Sequence, residues 1–259
     1  MQSQIQYFLA ILAISYTVLL GIYFLFGKII TFWNRHLGCS KKIQSKTSSE
    51  VEIKRDIVQS VKSLFFIALM LAGGIFCQRI GLTLRPTHLT PLNSLLWFLV
   101  SMFIFDTWFY WGHRLIHTKV LYRQIHAWHH RSITPSVWSN NSDTLLDDLI
   151  LQSYFFFAPF FLPIPAAILI AHKIYDQITG MIGHSGYEYS AGPLSRFPFL
   201  LLGVTFHDQH HESFNYNYAT HFSLWDRLMK TIHPAYDRRI LDFEKSPVDL
   251  LEIEPTNES

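Results

Sequence analysis

The sequence predicts an all-α, polytopic membrane helical bundle. It has about four spans, including a proline-kinked hairpin, beneath a cytoplasmic helical cap. Three observations predict this. The 259 residues are 49% hydrophobic and 16% aromatic, but only 15% charged, against about 25% in soluble domains. Mean hydropathy is +0.18. Several apolar runs approach the roughly 20 residues that cross a bilayer core. Between and after these runs, nine of the fourteen histidines fall into a spaced pattern.

The elements follow in order. Ile5 to Phe26 is an uncharged apolar run. No positive n-region precedes it and it is too long for a cleavable leader, so it reads as a retained span. The polar loop Asn34 to Asp56 carries Arg35, Lys41, Lys42, Lys46, Lys54 and Arg55. Basic loops mark the cytoplasmic side. Lys62 to Cys77 starts a second span with the pair Gly73-Gly74, and Leu95 to Trp111 is a third, returning the chain to the cytoplasmic face. Asp106 sits in that span's last turns, as a partner of the histidines or as an interfacial carboxylate. Trp108, Tyr110 and Trp111 fit an interfacial aromatic belt. Leu149 to Ile182 contains Pro159, Pro163 and Pro165. Proline breaks a helical ladder, so this stretch reads as two helices folded back at Pro163-Ile164-Pro165. The units are expected at 1–93 (N-terminal spans and basic loop), 94–235 (histidine-box domain) and 236–259 (polar tail).

The histidines carry the chemistry. His113 and His117 form H-x-x-x-H. His126, His129 and His130 form H-x-x-H-H, repeated by His207, His210 and His211, and His184 lies between in GHSGYE. On an α-helix, residues three or four apart share a face, so each box is expected to aim its imidazoles in one direction. Neutral imidazole is the commonest metal ligand near neutral pH. Nine ligands suffice for two ions, giving a di-metal site in the cap. Cys39 and Cys77 form no disulfide framework or thiolate site. Ligand type alone leaves iron, zinc, copper and nickel open. A greasy substrate with unactivated C–H bonds favours oxidising iron chemistry. His36, His88, His172, His221 and His233 lie outside the boxes and read as surface or core histidines, with His172 and His221 the two to watch. A net charge of +2 argues for no nucleic-acid partner.

From Asp106 to Thr231, about half the chain, the motifs DTWFYWGHRLIH, HAWHH, HSGYE, HDQHH and NYATHFSLWDRL stand in order. Here the chain resembles the fatty acid hydroxylase / sterol desaturase superfamily, with HSGY most similar to sterol C-4 methyl oxidases. The resemblance implies a four-helix-type membrane core and two Fe ions, with zinc possible in purified protein. It implies O2-dependent hydroxylation, desaturation or demethylation of a lipid such as a sterol or fatty acyl chain. It also implies a reduced cytochrome b5-like or ferredoxin-like electron donor, in the endoplasmic reticulum or a bacterial inner membrane. Carried over, the eight box histidines are ligands and His184 is the intermediate one. Some members place a second histidine where Glu188 stands. Others have His-Pro near Asn140-Asn141-Ser142-Asp143, and Phe-Gly-Thr where Met229-Lys230-Thr231 stands. Glu188 and Asp208 are the candidate catalytic carboxylates. With Asp106 and Asp226 they are also candidate hydrogen-bond partners of imidazole N–H groups, while Asn217 and Trp225 are expected to pack or position the third box. The rivals are a haem protein and a hydrolytic or non-catalytic di-zinc membrane protein. H-E-x-x-H is absent, because no histidine lies three residues beyond Glu212.

Overall fold

The computed structural model describes residues 2–36, 39–198 and 200–245. The polar tail from 246 onward lies outside the described residues. Among these residues the protein is helical, with no strand beyond an isolated bridge between Lys42 and Tyr187.

Three helices are long and apolar enough to cross a membrane: α1 (Gln2–His36), α2 (Glu50–Arg79) and α3 (Pro91–Ile116). α1 and α2 run antiparallel, with Phe8 against Phe76 at one end and the Tyr16 hydroxyl on the Val61 carbonyl further along. The other faces of α1 and α3 leave Ile5, Leu9, Ile14, Leu95, Leu99 and Phe103 exposed. Apolar surface of this extent suits lipid contact.

The expected loop from Asn34 to Asp56 is shorter at both ends. α1 continues to His36, and α2 begins twelve residues before the apolar run because Ser49 and Glu52 form a capping box. α3 starts with Thr90 as N-cap and Pro91 in its first turn, and it runs on to carry His113. The four-residue α4 (Lys119–Tyr122) follows.

The hairpin forms, with one break not foreseen. Its descending arm divides into α5 (Leu145–Leu151) and α6 (Tyr154–Phe161), and the returning arm is α7 (Ala166–Gly183). Pro159 lies within α6, whereas Pro163-Ile164-Pro165 makes the turn. The tip meets the loop after α2. Gln78 donates to the Ile164 carbonyl, and the Leu84 and Thr87 amides donate to the Pro159 and Pro163 carbonyls. The hairpin therefore reaches the far end of α2, and α7 brings the chain back about 27 Å at 1.5 Å per residue.

The cap consists of α8 (Val204–Ser213), α9 (Leu224–Leu228) and α10 (Tyr236–Lys245). Tyr110 of α3 enters the cap core with Phe206, Tyr218, Tyr236 and Ile240. The cap is thereby packed onto the basic-loop end of the bundle, where Ile43 meets Val204 and Phe243.

Candidate metal centre

The structure brings all nine expected histidines into two adjacent groups. His113, His117, His126, His130 and His210 form one, and His129, His184, His207 and His211 the other. Within each group the ligand atoms lie within 4.8 Å of one another. Seven are buried, and His117 and His207 half-buried.

The two H-x-x-H-H boxes do not aim all their imidazoles in one direction, as expected from their spacing. His126 and His130 join the first group while His129 joins the second, and His207 and His211 join the second while His210 joins the first. At about 100° per residue, positions i and i+4 are some 40° apart, but i+3 and i+4 differ by about 100°. An H-x-x-H-H box therefore splays its middle histidine from the outer pair. The second box is also not an α-helix: its residues lie in turns and a short 3₁₀ helix, His129–Arg131.

The nitrogens point the right way for metal. His113 and His126 Nε2 are 3.0 Å apart, and His117 and His130 Nε2 are 3.2 Å apart. In the second group His129–His184, His184–His207 and His207–His211 are 3.4, 3.0 and 3.0 Å apart. Ligand nitrogens about 2.0–2.1 Å from an ion stand about 3.0–3.4 Å from their neighbours in octahedral or tetrahedral sites. Meanwhile the outer Nδ1 atoms donate to acceptors. His113 donates to the Tyr218 carbonyl (2.8 Å), His184 to that of Gly180 (2.9 Å) and His210 to that of Tyr216 (2.6 Å). A carbonyl only accepts, so these rings hold their proton on Nδ1 and turn a lone pair inward. Burial, followed by repulsion from neighbouring histidines, pushes His126, His130, His207, His210 and His211 well below the usual imidazole range. Neutral rings with converging lone pairs form a site that could hold a cation between them. His210 Nε2, buried with no hydrogen-bond partner, is the plainest instance.

Residues 98–231, just over half of the chain, match the family model described as fatty acid hydroxylase. The chain belongs to the fatty acid hydroxylase family. It is 36% identical over 126 residues to methylsterol monooxygenase 1 of Gallus gallus, covering 49% of this chain and 42% of that one. It is 31% identical over 162 residues to a C-4 methylsterol oxidase of Schizosaccharomyces pombe, covering 60% and 53%. It is 26% identical over 190 residues to the lathosterol oxidase of Mus musculus, covering 71% and 62%. The chain thus spans about half the length of the first two relatives. No solved structure gives a significant match.

In this family member the carboxylates that hold the ligands are not the four picked from the sequence. Asp147 Oδ1 lies 2.7 Å from His126 Nδ1, and Asp143 Oδ1 lies 2.8 Å from His129 Nδ1. Asp147 also caps α5 through Thr144. Asp106 instead takes the backbone N–H groups of Thr220, His221 and Phe222. Asp226 takes those of Tyr218 and Ala219. Together they fix the loop whose Phe214, Tyr216 and Tyr218 carbonyls receive His117, His210 and His113.

Glu188 accepts from the Thr205 amide and hydroxyl (both 2.7 Å) and from Ser190 (2.9 and 3.1 Å). It therefore sits at the start of α8. Asp208 accepts from Gln44 at 2.9 Å, and burial raises its carboxyl to about 7. Neither pairs with an imidazole among the described hydrogen bonds. Asn217, at φ 61°, donates to the Phe206 carbonyl beside His207. Trp225 donates to Thr107 and stacks on Tyr110. Asn217 thus grips the residue before His207, as expected, whereas the hydrogen bond and ring contacts of Trp225 are with α3. His172 and His221 are buried and belong to neither group; His172 Nδ1 lies 2.7 Å from the Ser101 hydroxyl and His221 Nε2 3.8 Å from Asp176 Oδ1.

Proposed function

We propose that this protein is a membrane-bound oxidoreductase that uses O2 to hydroxylate, desaturate or demethylate a lipid, with two iron ions held by the nine histidines. The single observation that carries this reading is the division of those histidines into two neighbouring groups with inward lone pairs. The groups open on a cavity of about 100 Å³ that continues toward the hairpin. Bound iron would supply the activation of O2 needed to attack an unactivated C–H bond. The five-histidine group would hold one ion and the four-histidine group the other, leaving the second with fewer protein ligands.

The chain's own residues supply placement. Asp143 and Asp147 orient His129 and His126. The loop carbonyls orient His117, His210 and His113. Phe109, Leu151 and Phe206 exclude water from the cavity. Glu188 acts by positioning α8, and Asp208 by anchoring the 42–48 loop over the same helix through Gln44. The names of the relatives support a sterol as substrate. The basic loop supports a cytoplasmic site, to which a cytochrome b5-like or ferredoxin-like donor would bring a pair of electrons per turnover.

The test is metal content and O2 uptake of the purified protein with a reduced donor and methylsterol. Two irons per chain with sterol-dependent O2 uptake are expected. A Soret band, or full metal loading with iron and no O2 uptake on any lipid tried, would overturn the reading.

A further inference from the structure

The cavity in front of the histidines has a polar wall that metal binding does not use. Asp148, Gln152, Lys173 and Asp176 line it together with His113, His126, His129, His184 and His207. Helical spacing makes the wall. Asp148 and Gln152 are one turn apart on α5 and its C-cap, and Lys173, Gln177 and Gly180 form a stripe on α7 that ends at His184. Lys173 is 1% exposed. Its ammonium donates to Gln152 Oε1 and to Asp176 Oδ2, both at 2.7 Å. An ammonium has three N–H bonds, so one remains without an oxygen or nitrogen acceptor, with the Phe155 ring 5.1 Å from Nζ. Asp148, also 1% exposed, takes the Ser63 hydroxyl on Oδ1 at 2.9 Å. Its Oδ2 is buried without a partner.

An unmatched carboxylate oxygen within an apolar bundle is costly and marks a functional position. We infer that Lys173 and Asp148 form a polar subsite for an uncharged hydroxyl of the lipid substrate. The subsite lies on the membrane side of the metal-facing cavity, and the inference rests on the lipid-oxidising reading above. A hydroxyl both donates and accepts. It gives its proton to Asp148 Oδ2 and accepts from the remaining N–H of Lys173. A hydrocarbon leaves both groups unmet. A carboxylate or phosphate finds one ammonium against two acidic groups, Asp148 and Asp176, and gains no counter-charge. The wall thus selects lipid alcohols over fatty-acid anions and alkanes.

The test uses radiolabelled probes on metal-loaded, detergent-solubilised full-length protein. The probes are 4α-methylcholestan-3β-ol with 4α-methylcholestane, hexadecanol with hexadecane, and palmitate. Wild type should hold at least one alcohol about tenfold tighter than its hydrocarbon and than palmitate, as one buried hydrogen bond to a charged group allows. Asp148→Leu and Lys173→Met should each bring that ratio within about twofold with metal content unchanged. Asp148→Asn, which keeps an acceptor, should retain part of it and decides the matter if the other two do not fold. Absence of alcohol preference in wild type, preference for palmitate, or an unchanged ratio in the variants would overturn the subsite. O2 uptake is read on the same samples. Preference lost in the variants without O2 uptake in wild type keeps the subsite and sinks the oxygenase reading. O2 uptake with equal use of alcohol and hydrocarbon does the reverse.

Discussion

The second and third histidine boxes have the same spacing but are built differently. His207, His210 and His211 stand on α8, a regular helix, whereas His126 stands in a turn and His129 and His130 in a short 3₁₀ helix. The two boxes nevertheless divide reciprocally between the groups, each sending its i, i+4 pair to one and its i+3 residue to the other. Their supports differ in kind. Side-chain carboxylates, Asp147 and Asp143, hold two members of the second box. The third box is held through backbone, with His210 on the Tyr216 carbonyl and Phe206 gripped by Asn217. Ligand placement is therefore met twice by different chemistry, and the two solutions fail in different ways.

Loss of a ligand should be the largest effect, and equal for both boxes. His126→Ala and His207→Ala each remove one nitrogen from a different group. Each should cut turnover at least about a thousandfold while lowering metal content by about one ion per chain, read by mass spectrometry. Full activity in either variant would break the assignment of that group. The supports should then separate the boxes. Asp147→Asn and Asp143→Asn are expected to weaken metal binding about 10- to 100-fold in competition with a chelator. Tyr216→Phe keeps the carbonyl that His210 uses and should leave affinity nearly unchanged. An equal loss in Tyr216→Phe would remove the distinction.

The nine histidines that gather into the two groups were legible because spacing is local, and so were the membrane runs and the hairpin turn at Pro163-Ile164-Pro165. The sorting of ligands was not, because the angle between i+3 and i+4 matters only once two groups face the box from different sides. Asp147 meets His126 across 21 residues, a contact set by the fold of the intervening loop. Thr144-x-x-Asp147 was a readable capping signal, as was Ser49-x-x-Glu52 at the early start of α2. Glu188 stands where some family members have a histidine and Asp208 follows His207, yet their carboxylates face the start of α8 and Gln44. The carbonyls of Phe214, Tyr216 and Tyr218 leave no side-chain signature at all.

A smaller effect tests the weak point of the helical box, which is its first turn. Glu188 places a carboxylate at the N-terminus of α8 and takes the Thr205 amide and hydroxyl. Glu188→Gln should destabilise the protein by about 1 kcal/mol, through a lost charge-assisted cap. Denaturation of the purified protein measures this. Metal affinity at neutral pH should change less than in Asp147→Asn. A thermal midpoint equal to wild type would remove Glu188 from the support of the third box.

The smallest expected difference is in acid response, measured on metal-free protein. All three histidines of the third box are held below their usual range, by burial and then by neighbouring histidines. The unfolded chain takes up protons near pH 6.5 that these folded rings refuse, so their contribution to stability falls as pH drops below that value. In the second box His126 and His130 behave alike, but burial of His129 is more than offset by Asp143, which leaves its ring above the usual range. A raised histidine contributes in the opposite sense, as does Asp208, whose carboxyl near 7 keeps a proton that the unfolded chain has lost. Asp147, raised chiefly by burial, acts in the same direction as Asp208. With His117 and His184 lowered as well, and Asp148 and Asp226 raised as well, seven lowered rings outnumber five raised groups, so the thermal midpoint should fall between pH 7.5 and 5.5. Asp143→Asn removes the charge that lifts His129 and should steepen the fall, by a few degrees at most. A midpoint that rises on acidification would reverse the balance. An unchanged slope in Asp143→Asn would show that His129 is not held by that carboxylate, and Asp147 on His126 would then be the carboxylate support that sets the second box apart.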